Sequence, residues 1–151
     1  MFQVLVASHN GQLYKRRVRC VDDIADLIRE CDLETLTSSD GTIDFWFTPS
    51  TRSSHRRVNR NATEIYLATT GFTPSNVPLM RGIVVLAAHD AAGALAGLTD
   101  LQIDTLAGHV ERTPWWQDLV LARRYAQDQR RELRAVRTTR KHQHENLPWP
   151  S

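Results

Sequence analysis

Apolar and polar positions follow two different periods along this chain, and the switches between them mark its elements. Phe2 to Ala7 is a short apolar run that predicts a first β-strand. His9 to Gln12 follows with turn chemistry, since an Asn-Gly pair tolerates the positive φ of a tight hairpin. From Leu13 to Val21 the pattern has period two through Tyr14, Arg16, Val18 and Cys20. That spacing predicts the second strand of a hairpin, with a basic outer face that also discourages edge pairing. The period then lengthens. Asp22 and Asp23 stand where helix starts attract acids, and Ile24, Leu27, Ile28 and Cys31 recur at helical spacing.

The remaining chain reads in the same way. Thr42 to Phe47 is dense in β-formers and predicts a strand after the turn at Ser38–Gly41. Pro49 to Arg57 is polar and basic and reads as a mobile loop. A helix starting at Asn59 or Asn61 carries Ala62, Ile65, Tyr66 and Thr69 and ends by Gly71. Gly82 to Ala88 is a continuous apolar run, the mark of a buried strand, and His89–Gly93 is a turn. Thr99 begins a short helix, and a long one starts near Thr113, with Thr113 as N-cap and Pro114 at the first helical position. This order predicts an α+β fold: a small mixed or antiparallel sheet of about four strands, helices on one face, and a long C-terminal helix. The expected divisions are an α+β domain over 1–111, a basic helical extension over 112–141 and a flexible tail over 142–151.

Charge sharpens that division. Residues 112–151 hold nine Lys/Arg against four Asp/Glu, whereas residues 1–111 hold ten against thirteen. The overall +2 is therefore a −3 body joined to a +5 extension, an asymmetry that points to a binding appendage. No apolar run reaches the ~20 residues that span a bilayer, and the N-terminal residues lack the charged and apolar regions of a signal peptide. The chain reads as cytoplasmic, without membrane association, and with Cys20 and Cys31 as reduced thiols.

Within the extension, Arg123, Arg130, Arg134, Arg137 and Lys141 fall in an arc of about 60° at 100° per residue. Beside them runs a heptad seam: Trp115, Leu119, Ala122, Ala126, Gln129, Leu133 and Val136. In a parallel homodimer through residues 115–136, Asp118 would meet Arg123 of the other copy and Glu132 would meet Arg137. The alanines bury little area, so such a pairing is weak by itself. The expected partner-binding residues are Trp115, Trp116, Leu119, Arg123, Arg130, Arg134, Arg137 and Lys141. Arg52, Arg56, Arg57 and Arg60 form a second basic cluster suited to phosphates, as do Lys15, Arg16, Arg17 and Arg19, with Trp46 and Phe47 near enough in sequence to stack bases.

Catalytic chemistry has little footing. His89-Asp90 falls in a turn, where Asp is ordinary, and no nucleophile accompanies it. Asp22, Asp23 and Asp26 read as helix-terminus acids. His142 and His144 have no third ligand nearby. The glycines are too scattered to cradle a phosphate. No catalytic residue, metal or cofactor is expected.

The body resembles a family known as domain of unknown function 3846, found in actinobacteria and their phages. The resemblance covers about residues 1–108. It rests on Val4–Cys31, on Ile43–Phe47 followed by Asn61-Ala62, and most densely on Val77–Gly93 continuing to Gly97–Asp100. Leu86–His89 replaces the Thr-Gly usual before the turn in that family. The resemblance implies a small accessory protein of a phage or mobile element and transfers no catalytic residue. The first functional expectation is a non-catalytic protein that binds a host macromolecule, a host protein before others, to modulate host physiology or defence. A nucleic-acid-binding protein using the basic helix and the Arg-rich loop is the second, and a small enzyme the third.

Overall fold

The computed structural model describes residues 1–50 and 52–145, and the side chains of all of these except 53, 54, 136 and 139–145. Lys141, among the expected contact residues, lies outside the described side chains, and residues 146–151 lie outside the described chain. Two compact units are present, Met1–Thr113 and Pro114–Ser151.

The first unit is an α+β domain built on an antiparallel sheet. Strands β1 (Phe2–Ala7) and β2 (Leu13–Val18) form the expected hairpin, with Val6 opposite Tyr14. Helix α1 (Val21–Ile28) follows, then β3 (Glu34–Thr37) and β4 (Asp44–Phe47). Helices α2 (Ser53–Arg56) and α3 (Arg60–Thr69) precede β5 (Val84–His89), β6 (Leu95–Ala96) and α4 (Asp100–Glu111). The sheet order is β2-β1-β5-β4-β3, with β6 paired to β5, so six strands replace the expected four or so. The additional strands are short and carry little apolar pattern: β3 is Glu-Thr-Leu-Thr and β6 only Leu-Ala. Their pairing partners, rather than their composition, make them strands.

Alternation along β1, β5 and β4 sends neighbouring rows to opposite faces. Leu5, Leu86 and Phe45 form one row, and Phe45 meets the Tyr66 ring of α3 edge-on at 5.1 Å. Val6, Val85 and Trp46 form the next row; with Val4, Ala87 and Val18 it packs on Ile24 and Ile28 of α1. Helices therefore cover both faces, not one. The central strands are apolar at consecutive positions, as strands buried on two sides must be.

Helix ends follow local chemistry. α1 stops at Ile28 because Arg29 turns into the left-handed region at φ 67°, its N–H donating to the Ala25 carbonyl, so Cys31 lies beyond the helix. β2 stops at Val18, and just beyond it the Arg19 N–H donates to the Asp23 carboxylate at 2.7 Å. Asn59, fully buried, caps α3: its Oδ1 accepts from the Ala62 N–H, while its Nδ2 donates to the carbonyls of Ala7 and Gly82, each at 2.8 Å. α4 opens on a capping box between Thr99 and Gln102.

The second unit is α5 (Trp115–Glu145), a helix of 31 residues. The expected cap is corrected here: the Thr113 hydroxyl donates back to the His109 carbonyl at 2.9 Å, and the Pro114 carbonyl accepts from the Asp118 N–H. The helical bonds of α5 thus begin at the Pro114 carbonyl, which puts Pro114 rather than Thr113 at the cap position.

Candidate functional site

The 31-residue span of α5 turns a sequence pattern into a surface. At 100° per residue, Trp115, Trp116, Leu119, Arg123, Arg130, Leu133, Arg134 and Arg137 share a sector of about 100°. Every one of them is exposed, the two indoles by 73% and 51%. Asp118, Asp128 and Glu132, the acids of the helix up to Thr138, all fall in the other half of the wheel. Among the described residues no carboxylate sits in this sector, so four guanidinium groups spread over ~21 Å face solvent without a counter-charge on their own face. The seam positions Trp115, Leu119, Ala122 and Leu133 are exposed as well, so the expected stripe and seam form one broad face.

The other basic clusters are engaged within the body. Arg52 Nε lies 3.7 Å from Glu30 Oε2, which His55 Nε2 also approaches at 3.9 Å. His55 is 6% exposed, so the segment read as a mobile loop contains a helical turn anchored by a buried ring. The carbonyls of Arg56 and Arg57 accept from Arg81 Nη1 and the Gly82 N–H, while the side chains of Arg52, Arg56, Arg57 and Arg60 are exposed. On β2, Lys15 pairs with Asp100 at 3.6 Å and Arg16 lies over the Tyr14 ring at 5.0 Å; just beyond the strand, the Arg19 side chain makes two bonds to Asp23. That fork holds the Asp23 carboxyl below its usual range. Asp100 is lowered likewise, first by the Gln3 amide and then by Lys15. Trp46 packs beside the α1 core and does not stand free to stack on a base.

Sequence reasoning missed one constellation. His89 Nδ1 lies 2.7 Å from Asp44 Oδ2, and the Thr37 hydroxyl donates to Asp44 Oδ1 at 2.8 Å. Asp44 is mostly buried and the His89 side chain is 35% exposed. An ionised Asp44 can only accept, so Nδ1 would be the donor of this bond, which fixes the orientation of the ring. The sequence paired His89 with Asp90 instead; Asp90 accepts from the N–H groups of Ala92 and Ala94 and shapes the turn. Asp44 and His89 stand 45 positions apart, and only the register that sets Asp44 opposite Ala87 brings them together. Among the described residues, no group of three or more His, Cys, Asp or Glu is placed to hold a metal ion, and no helix is long and apolar enough to cross a membrane. Cys20 and Cys31 are both free and exposed.

Comparison with protein-family models, curated proteins and solved structures finds no match to this chain.

Proposed function

We propose that this chain is a non-catalytic accessory protein, of a phage or mobile element as its resemblance to the domain of unknown function 3846 family implies, which binds a host nucleic acid in the cytoplasm through the exposed face of α5. The observation that carries this reading is the sector holding Arg123, Arg130, Arg134 and Arg137, free of acids among the described side chains. Uncompensated arginines on one face favour a polyanion, because each phosphate they neutralise releases a counterion.

The test is a mobility shift of DNA and RNA at low salt with the full chain. A shift that weakens steeply with salt, and is lost when Arg123, Arg130, Arg134 and Arg137 are all changed to Gln, supports the reading. No shift at low salt removes it.

A host protein is the second reading, favoured by the exposed Trp115, Leu119 and Leu133, since aromatic and Arg anchors dominate protein interfaces. A partner captured from nuclease-treated lysate and lost on Leu119→Asp with Leu133→Asp would support it. The same seam could seat a second copy, which sedimentation would reveal as a dimer.

A further inference from the structure

We propose that the nucleic acid taken by α5 is single-stranded, with its phosphates along the arginines and unpaired bases stacked on Trp115 and Trp116; this rests on the nucleic-acid reading above. Two adjacent indoles, 73% and 51% exposed, are a large apolar surface to leave in water. Their placement gives them a use. Trp116 stands seven residues before Arg123, which stands seven before Arg130, so the three lie nearly in line at intervals of ~10 Å along the helix. Trp115 lies about 100° round from Trp116, to one side of that line. An aromatic platform therefore opens a cationic track.

The geometry distinguishes single strands from duplexes. In a duplex the base faces are covered by their neighbours, and only edges and backbone are presented. An indole stacks on a base only where that face is free, as in single strands. Arginine contacts to phosphate and stacking on a π-face both ignore the identity of the base, and neither touches the 2′-hydroxyl. Single-stranded DNA and RNA of one sequence should then bind alike, with little sequence preference.

The experiment is fluorescence anisotropy with the full chain and three labelled probes of about 16 nucleotides: single-stranded DNA, the RNA of the same sequence, and the blunt DNA duplex. Binding is read between about 50 and 200 mM salt, and tryptophan quenching is recorded in parallel. The expected result is single strands held at least about tenfold tighter than the duplex, with quenching. The slope of log K against log salt should be about −3, from four arginines at ~0.7 each on a single strand. Trp115→Ala and Trp116→Ala should each weaken single-strand binding by about tenfold, leave the salt slope unchanged and leave duplex binding alone. Arg130→Gln with Arg134→Gln should instead make the slope shallower by about 1.4. Circular dichroism melts of these variants check that each remains folded. Duplex bound as tightly as single strands, or a Trp115→Ala/Trp116→Ala double variant that loses nothing, overturns this inference and leaves the nucleic-acid reading standing. No binding of any probe overturns both.

Discussion

The body and α5 use the same residue types in opposite ways. Trp46 of the body packs against the α1 core, while Trp115 and Trp116 of α5 face solvent. Arg19 forks onto Asp23 and Arg52 leans on Glu30, while Arg123, Arg130, Arg134 and Arg137 share a face with no acid among the described side chains. In the body these side chains hold the fold together; on α5 their surface remains available to something else. A residue type therefore says little about function until its partners are known.

Stability measurements test that contrast most strongly. Phe45 is fully buried between the sheet and Tyr66, so Phe45→Ala should lower the unfolding free energy by about 3–5 kcal/mol in urea titrations. Trp115→Ala, of similar bulk, should change it by no more than about 0.5 kcal/mol. Comparable losses from both would erase the distinction.

Asn59 comes next. Its removal leaves the Ala7 and Gly82 carbonyls without their amide donor and uncaps α3. Asn59→Ala should cost about 2–4 kcal/mol, and an unchanged denaturation midpoint would show that water or a neighbour replaces the amide.

The Asp44–His89 pair should contribute less. Asp44→Asn weakens the bonds to Thr37 and His89 and should cost about 1–2 kcal/mol. Nitrogen NMR should place the neutral-ring proton of His89 on Nδ1 in the native chain and show both tautomers in the variant. An Nε2 proton in the native chain would contradict the geometry.

The smallest effect is the acid limb. Asp23, Asp40 and Asp100 are held below the ordinary carboxylate range, Asp40 first by the Ser38 hydroxyl and then by Thr42. A folded-state value below the unfolded one adds stability that is present above the unfolded value, about pH 3.9, and is lost as pH falls through the lower, folded value. Melts between pH 6 and pH 2 should show a decline beginning near pH 4, flattened slightly by Asp40→Asn. An α5 variant such as Arg134→Gln should leave that limb unchanged.

Much of the fold was legible because its signals are local. The β1–β2 hairpin, α1, β4, α3 and β5 all appear where apolar period and turn residues put them. β3 and β6 were not legible, since Glu34–Thr37 and Leu95-Ala96 carry no pattern that a loop would lack. The end of α1 was overrun by a turn because Cys31 continues the apolar spacing, while Arg29 adopts a left-handed conformation that few residues of its type take. In the candidate site, the arginine stripe was readable from helical spacing alone. Its lack of opposing acids became visible once the helix was known to run unbroken from Trp115 to Glu145.

The sequence by itself determined the element types, the split between an acidic body and a basic extension, and the alignment of arginines along one helix. Those properties depend on neighbours within a turn or two of the chain. Only the tertiary structure decided that helices cover both faces of the sheet, that Asp44 rather than Asp90 holds His89, and that the body's Arg19 and Arg52 are engaged. Each of these depends on strand register and packing, which bring distant residues together at angles that no local spacing encodes.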